Sequence, residues 1–293
     1  MFLKDPALEP RLGELLAEML EVMTDRGPDS AGFAVYGSGL PGVVKLTLRG
    51  PQGTDFAALR AALEGQLKIP VAMTPKDTHA VFALEANAAA ATRLWLAQTA
   101  PDISIFGEGA RMELYKEIGP PAAVARRFGL ASMRGTHGIG HTRMATESAV
   151  TTQGAHPYST GVDQCLVHNG SLSNHNELRR TLERRGVSFS TENDTEVAAA
   201  YLTHHINSGD TLSAALNRSI HDLDGFYTFV VGTENGFGVL RDPIACKPAV
   251  MAETDAYVAF GSEYRVLVNL PGIGQAHVFE PEPVRAYFWG RNA

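Results

Sequence analysis

The chain has 293 residues, which fits one large domain or two small ones, and 44% of them are hydrophobic, enough for a sizeable core. The formal net charge is −7 without a block of Lys or Arg, and this argues against nucleic acid as the main partner. No apolar run has the length of a membrane span, and two cysteines, Cys165 and Cys246, are too few for a disulfide framework. We therefore expect a cytoplasmic protein that contacts neither membrane nor nucleic acid.

The first half of the chain alternates between helical and strand-like patterns. Residues 11–23 predict an amphipathic helix, because leucines and methionines recur there at i, i+3 and i+4 before Gly27 and Pro28 end it. Further helices are predicted at residues 56–67, 88–98 and 120–128. Strands are predicted at residues 32–36, 43–48, 80–84, 102–106 and 112–118.

The second half is richer in strands. Strands are predicted at residues 138–143, 165–168, 226–232, 237–241, 249–251, 256–260, 276–279 and 285–288, with Asn235-Gly236 as a hairpin turn. Helices are predicted at residues 174–185, 195–206 and 212–221. No repeat or linker interrupts the chain. We predict a single α+β domain over residues 1–293, with antiparallel sheets covered by helices.

Two polar segments each permit a functional and a structural interpretation. Arg143 ends a predicted strand among hydroxyl groups, where its planar guanidinium suits either a carboxylate clamp or a structural ion pair. Asn169 and Gly170 follow a strand in the run VHNG. An Asn amide beside a free glycine N–H makes a plausible oxyanion hole, but Asn-Gly is also a common turn.

Two other segments have strong structural interpretations when each is taken alone. Residues 25–32 (DRGPDSAG) are typical of a helix stop followed by a turn. Residues 192–196 (ENDTE) are typical of a helix cap, supplied by Asn193 or Asp194. The spacing of His137 and His141 is zinc-like, but the glycines between them oppose the helix that such a site needs, so we expect no metal and no cofactor.

The order of these segments resembles the class II, N-terminal-nucleophile glutamine amidotransferases. Their pattern is an Arg-Gly-x-Asp-Ser-Ala-Gly turn, then His-Thr-Arg-x-Ala-Thr, Ala-His-Pro, His-Asn-Gly and Asp-Thr-Glu, and this chain carries all five in order, including Ala155-His156-Pro157. The resemblance is strongest to stand-alone glutaminase subunits of glutamate-synthase-like or N-methylglutamate synthase complexes and to the glutaminase domain of amidophosphoribosyltransferase. It implies a four-layer αββα sandwich of two antiparallel sheets, with an insertion near residues 50–130.

The resemblance also implies roles for individual residues. Arg143 would hold the α-carboxylate of glutamine and Asp194 its α-ammonium group, while Asn169 and Gly170 would stabilise the oxyanion. Thr146 and His156 would line or support the pocket. Arg26 would lie near the N-terminus and help to order the site.

The nucleophile of the family is an N-terminal Cys, whose own α-amine serves as the base. This sequence begins Met1-Phe2-Leu3, and neither Cys165 nor Cys246 has an α-amine beside its sulfur. We expect residues ahead of Met1 in the active protein. The alternative is a catalytically silent subunit that binds glutamine or acts as a scaffold.

The released ammonia needs an acceptor, and the resemblance implies that the active site that uses the ammonia lies on a second protein. We expect glutamine hydrolysis to glutamate, with ammonia delivered to a separate, flavin-binding, glutamate-synthase-like subunit. Residues 50–130 are a candidate for part of the interface. A different N-terminal-nucleophile hydrolase is a third hypothesis, which Arg143 and Asp194 disfavour because they suit an amino-acid substrate.

Overall fold

The computed structural model describes residues 1–144 and 149–291 of the chain. The helices in this part are α1 (Leu12–Val22), α2 (Phe56–Leu67), α3 (Ala89–Thr99), α4 (Pro121–Phe128), α5 (His175–Glu183), α6 (Asp194–Asn207) and α7 (Leu212–Asp222). The strands are β1 (Phe2–Leu3), β2 (Ser30–Tyr36), β3 (Val43–Arg49), β4 (Ala72–Lys76), β5 (His79–Glu85), β6 (Ser104–Gly109), β7 (Met112–Ile118), β8 (His137–Arg143), β9 (Tyr158–Gly161), β10 (Gln164–Leu172), β11 (Gly225–Thr233), β12 (Gly236–Arg241), β13 (Val250–Glu253), β14 (Tyr257–Gly261), β15 (His277–Phe279) and β16 (Tyr287–Gly290).

Two antiparallel sheets form the body of the molecule. A seven-stranded sheet has the order β15-β13-β14-β1-β8-β2-β7, and a five-stranded sheet has the order β16-β12-β11-β10-β9. Their facing surfaces share one apolar layer, in which Phe2 and Ile139 of the first sheet meet Val167 and Val230 of the second. Alternation along each strand sends every second side chain into this layer.

Helices cover the outer face of each sheet. The leucines of α1 and Phe128 of α4 pack on the seven-stranded sheet, with Phe33 at the centre of that layer. On the other side, α6 and α7 pack on the five-stranded sheet through Val197, Leu216 and neighbouring residues. The result is the predicted four-layer αββα sandwich of an N-terminal-nucleophile hydrolase.

Residues 43–109 build a third layer system with its own core. The elements β3, α2, β4, β5, α3 and β6 follow one another as βαββαβ, and the four strands form an antiparallel sheet of order β4-β5-β3-β6. This is the connectivity of the ferredoxin-like split βαβ motif. Leu46, Phe82, Leu63 and Leu96 fill the space between its sheet and its two helices. We propose that this unit is the insertion that the sequence placed near residues 50–130; β7 and α4, which that range included, belong to the main body.

A buried carboxylate ties the inserted unit to the five-stranded sheet. Asp163, in the turn between β9 and β10, accepts hydrogen bonds from the backbone N–H groups of Ala110, Arg111 and Met112 at 2.7, 2.9 and 2.8 Å. These amides lie where β6 leads into β7. A side chain on Gly109 would collide with the carboxylate, so this turn requires glycine.

The predicted elements are present in the described chain, with ends displaced by a few residues. The strands β4 and β9 were not predicted. β4 contains Pro75 and is largely exposed at a sheet edge, and β9 has only four residues, so neither shows an alternating apolar pattern. None of the helices within residues 1–144 and 149–291 is long and apolar enough to cross a membrane.

Candidate functional site

One large cavity, of about 1120 Å³, opens at the ends of strands from both sheets. Strands β8 and β10 contribute Arg143, Asn169 and Gly170 to its wall, and the first turn of α6 contributes Asp194. The predicted polar residues on these elements, distant in sequence, therefore share one cavity. Thr146 lies outside the described residues.

Arg143 ends β8 and enters the cavity from the seven-stranded sheet. Its strand pairs with β2 so that Arg143 lies opposite Ser30, and its carbonyl accepts a hydrogen bond of 3.1 Å from the Asp29 N–H. A side chain on Gly154 would approach Arg143 Nη1 to 3.3 Å, so the glycine leaves room for the guanidinium. The DRGPDSAG turn thus fixes the backbone that carries Arg143.

Asn169 and Gly170 lie on β10, opposite Thr228 and Tyr227 of β11. Gly170 has φ 149°, a conformation that favours glycine, and a side chain there would collide with the Phe226 carbonyl oxygen. The unusual backbone of Gly170 explains why this position needs glycine. An Asn side chain and an adjacent glycine N–H at a cavity wall have the composition of an oxyanion hole.

Asp194 is held at the start of α6 by groups of β10. Its Oδ2 accepts a hydrogen bond of 2.9 Å from the Leu172 N–H, and its Oδ1 lies 3.7 Å from His168 Nδ1. Burial alone would raise the pKa of Asp194, but the interactions with His168 and with the Leu172 N–H hold that pKa below its ordinary value. Asp194 therefore presents a carboxylate to the cavity at neutral pH.

Three histidines line the cavity beside this arrangement: His156 and His168 are buried, and His141 is partly buried. The rings of His141 and His156 stack with centroids 4.2 Å apart. The Thr195 hydroxyl lies 2.8 Å from His156 Nε2 and 3.2 Å from His168 Nδ1, so it bridges the two imidazoles next to Asp194. Thr195 belongs to the Asp-Thr-Glu motif, but no role for its hydroxyl was predicted from the sequence.

Burial keeps two of these histidines neutral. It lowers the pKa of His141 to about 4, and it lowers the pKa of His156 well below its ordinary value. Charge repulsion from the neighbouring imidazoles, first that of His141 and then that of His168, lowers the pKa of His156 further. Neutral imidazoles serve as hydrogen-bonding supports here, since protonating either ring would place a charge in a buried cluster.

Two ionic residues fix the loop that leads to Asp194. The Glu196 carboxylate accepts four hydrogen bonds of 2.6–2.8 Å from the backbone and hydroxyl groups of Ser190 and Thr191. From the other side, Arg179 Nη1 donates to the Thr191 carbonyl at 2.8 Å. These contacts make the loop a rigid wall of the cavity. Arg179 was not predicted from the sequence, because its position on α5 belongs to no motif.

Arg26 lies at the cavity wall beside the end of β14. Its Nη1 is 2.9 Å from Glu263 Oε1, and Arg265 bridges the same glutamate and Asp25. The ion pairs join the segment after α1 to the segment after β14 across the cavity. The ordering role expected for Arg26 stays a prediction.

The cavity continues as a slot between two strand edges. Met1 pairs with Gly138 of β8 through two hydrogen bonds of 2.7 and 3.0 Å, and Phe2 pairs with Val258 of β14. Beyond Met1, β8 continues to Arg143 and β14 to Gly261, both as cavity wall. The α1 side chains Leu16, Met19 and Leu20, with Met23 just after the helix, close the slot on one side, and Val167 and Val230 close it on the other.

The two cysteines lie apart from this constellation. Cys165 is buried on β10, its sulfur accepts a hydrogen bond of 3.4 Å from the Tyr36 hydroxyl, and burial raises the pKa of its thiol to about 11. Cys246 is exposed and is absent from the cavity wall. Within the described residues, no cluster of three or more His, Cys, Asp or Glu side chains is arranged to hold a metal ion.

The four-layer αββα sandwich of two antiparallel sheets, with helices on both outer faces, is shared by two solved structures. The phosphoribosylpyrophosphate amidotransferase from B. subtilis aligns with 96% of this chain at a TM-score of 0.60 and 20% identity. A structure described as the allosteric regulatory enzyme of purine biosynthesis aligns with 97% at a TM-score of 0.63 and 20% identity. The chain spans 45% and 46% of these two chains, slightly under half of each.

Sequence comparisons give the family. Residues 141–269 match the family model described as the glutamine amidotransferase domain. The glutamine amidotransferase-like protein GlxB of Rhizobium meliloti is 61% identical over 99% of this chain and 96% of its own length. A putative glutamine amidotransferase of Methanothermobacter thermautotrophicus is 32% identical over 94% of each chain. The chain belongs to the class II glutamine amidotransferases.

Proposed function

We propose that the protein binds glutamine in the described cavity and releases its amide nitrogen as ammonia. The observation that carries this proposal is the convergence of Arg143, Asp194, Asn169 and Gly170 on one cavity. Arg143 pairs with the α-carboxylate through its planar fork, and Asp194 pairs with the α-ammonium group. The amide carbonyl then points to Asn169 and Gly170, whose N–H groups stabilise the negative charge that develops on its oxygen.

The nucleophile, in this proposal, comes from a β-strand that fills the slot ahead of Met1. Five further positions lead along β8 from Gly138 to Arg143, a length of about 17 Å at about 3.4 Å per residue. Phe2 faces the five-stranded sheet, whereas Met1 and Leu3 face α1. Alternation then directs the side chain of the fifth added residue towards the same side as Phe2, which is the side of Asn169.

The Met1 nitrogen makes a strand hydrogen bond at the inner end of the slot. The nitrogen is fully buried and donates to the Gly138 carbonyl at 2.7 Å, and burial lowers the pKa of this amine to about 5. A strand in the slot pairs the open edges of β8 and β14.

The chemistry follows from a Cys at the first position of that strand. Its α-amine takes the thiol proton and the thiolate attacks the amide carbonyl. The α-ammonium group then returns that proton to the amide nitrogen, the C–N bond breaks, and ammonia leaves as the thioester forms. Water then hydrolyses the thioester to glutamate. Asn169 and Gly170 stabilise the oxyanion of both steps, and the hydrogen-bonded His156–Thr195–His168 cluster keeps Asp194 in place.

A series of extended chains tests the strand. Chains with five residues of the type Cys-Gly-Ile-Val-Gly ahead of Met1, with initiator Met removed, are expected to hydrolyse glutamine. Extensions of four or six residues misplace the Cys, and four residues direct it towards α1, so both are expected to lose most activity. A five-residue extension that begins with Ser is the matched control.

The outcomes separate the two functions left open by the sequence. Glutaminase activity from the five-residue extension alone supports the enzyme. If glutamine binds with equal affinity to all these chains and none turns it over, the protein is a silent glutamine-binding subunit. Equal activity at all three lengths would overturn the slot as the site of the nucleophile.

We further propose that the ammonia passes to a separate subunit seated on the mouth of the cavity, a flavin-binding synthase of the glutamate-synthase-like kind. Met144 and Phe226 line the cavity yet expose 54% and 38% of their surface, and Tyr264, beside the lining residue Ser262, exposes 51%. Exposed apolar side chains around a polar site are typical of a surface that a partner covers. None of the residues that line the cavity belongs to the inserted unit, 43–109.

A further inference from the structure

A row of polar side chains crosses the five-stranded sheet at the level of Asn169. In the pairing of β10 with β11, Asn169 lies opposite Thr228, and in the pairing of β11 with β12, Thr228 lies opposite Arg241. One step further into the sandwich, Val167 lies opposite Val230, both in the apolar layer between the sheets. Directly paired residues project on the same face of a sheet, about 5 Å apart. Thr228 is thus the nearest polar neighbour of Asn169 across the strand pair.

The Thr228 hydroxyl has no hydrogen-bond partner within residues 1–144 and 149–291, although the residue is only 3% exposed. Thr228 is part of the cavity wall, so the hydroxyl lies where a bound molecule can reach it. A buried hydroxyl without a partner destabilises the folded state, and isosteric Val would avoid this at no loss of strand propensity. This unfavourable feature at a site wall points to a ligand contact.

We propose that the Thr228 hydroxyl contacts the side-chain amide of glutamine and accepts a hydrogen bond from its NH₂ group. The inference rests on the proposed function, because it assigns the amide group to the neighbourhood of Asn169. An amide carries an acceptor oxygen and donor nitrogen side by side. The Asn169 NH₂ donates to the oxygen, and the hydroxyl on the next strand offers its lone pairs to the nitrogen.

This contact makes opposite predictions for stability and for binding. Thr228→Val removes a buried hydroxyl that lacks a protein partner, so the ligand-free variant is expected to melt at the same temperature as the wild type or higher. The same variant is expected to bind glutamine about 3- to 10-fold more weakly, the effect of one neutral hydrogen bond. Thr228→Ser keeps the hydroxyl and is expected to stay within about 2-fold of wild-type affinity.

A second buried threonine provides the matched control. The Thr47 hydroxyl, on β3 of the inserted unit, accepts a hydrogen bond of 3.3 Å from the Leu114 N–H, and the residue is fully buried. Thr47→Val therefore leaves a backbone N–H without its acceptor. It is expected to lower the melting temperature and to leave glutamine affinity unchanged, which is the inverse of the pattern at Thr228.

The experiment measures glutamine affinity by calorimetry and melting temperature without ligand, on the full chain and these three variants. Weaker binding by Thr228→Val, restored in Thr228→Ser, with no loss of melting temperature, supports the contact. If the wild type binds glutamine and Thr228→Val binds it equally well, the contact is wrong while the proposed function stands. If Thr228→Val melts lower and its affinity loss is matched by Thr47→Val, Thr228 has only a structural role. Absence of glutamine binding by the wild type would overturn both proposals.

Discussion

At the scale of the residue, the proposed glutamine site depends on two charged side chains held on opposite elements, the guanidinium of Arg143 and the carboxylate of Asp194. Arg143 is placed by a strand that is paired over its whole length with β2, and Asp194 is placed by the Leu172 N–H and the His168–Thr195 cluster. In the proposed binding mode, these two side chains meet the two charged ends of glutamine from positions that the fold already fixes. Preorganisation of this kind lowers the entropic cost of binding.

Arg143→Lys is expected to weaken glutamine binding, because a point charge replaces a planar group that donates two parallel hydrogen bonds. The loss of one charge-assisted bond is worth about 1.5–3 kcal/mol, or roughly 10-fold or more in affinity. Calorimetry on the folded variant measures it. Arg93→Lys, at an exposed ion pair with Glu108 in the inserted unit, is the control and should bind normally. Unchanged affinity in Arg143→Lys would assign Arg143 a structural role.

Asn169→Ala acts on the transition state in the proposed mechanism. In the active five-residue extension, it is expected to lower kcat by about 10²–10³-fold with little change in glutamine affinity. Steady-state kinetics and binding to the Ser-extended chain separate the two quantities. A proportional loss of both would mean that Asn169 shapes the pocket instead.

At the scale of the element, Asp163 is the joint between the inserted unit and the strand that carries Asn169. Its carboxylate accepts three hydrogen bonds from backbone N–H groups, and these bonds hold the β6–β7 turn against the start of β10. Lys116 forms a second joint: its buried Nζ donates to the carbonyls of Gln153 and Ala155, next to His156. Both joints connect strand β7, or the turn before it, to the segments around the site.

Asp163→Asn is expected to reduce the free energy of unfolding by about 1–3 kcal/mol. Both carboxylate oxygens of Asp163 accept hydrogen bonds from backbone N–H groups, and the NH₂ group of Asn would place a donor against one of these donors. Chemical denaturation measures this change. Asp77→Asn removes a partly exposed ion pair with Arg127 and is expected to cost about 1 kcal/mol or less. Equal effects of the two substitutions would show that the Asp163 contacts add nothing beyond a surface pair.

At the scale of the whole molecule, buried neutral histidines couple folding to pH. Burial lowers the pKa of His79 to about 3 and that of His141 to about 4, from an ordinary value of 6.5. Between about pH 6.5 and 4 the unfolded chain therefore binds protons that the folded protein does not. Stability must fall as the pH falls through this window.

His79→Phe tests this coupling away from the candidate site. The ring lies among Phe128, Tyr115 and Phe106, so Phe fits its surroundings. Each such histidine contributes a slope of up to about 1.4 kcal/mol per pH unit. Urea unfolding at pH 6, 5 and 4.5 is expected to show a slope that is shallower by that amount in the variant. Identical slopes would mean that His79 is protonated in the folded protein.

The partner proposal is also tested on the whole molecule. Native purification is expected to recover the larger flavin-binding subunit, and Tyr264→Glu at the cavity mouth is expected to reduce that recovery. Leu94→Glu, at a residue that is 60% exposed on the inserted unit, is the matched control. If Leu94→Glu alone reduces recovery, the interface lies on the inserted unit. If no subunit co-purifies and none stimulates glutamine hydrolysis, the partner proposal is wrong.

The sequence by itself determined most of the secondary structure and the family, because both depend on patterns of residues that are close together in the chain. Apolar periodicity predicted α2 and β7 with the ends observed, and the five motifs gave the class and its sandwich fold. The motifs also singled out Arg143, Asn169, Gly170 and Asp194, since each stands in a short run of characteristic residues. Strand β4 escaped because an exposed edge strand with a proline has no apolar alternation to detect.

Only the tertiary structure decided how distant segments meet. The βαββαβ order of residues 43–109 required the strand pairing, and the support of Asp194 by His168 and Thr195 required the packing of α6 on β10. Thr228 belongs to no motif, and only the register of β10 and β11 shows that it lies opposite Asn169. The slot beyond Met1 is likewise a property of two strand edges separated by over 100 residues. Such contacts depend on long-range packing, which no local pattern encodes.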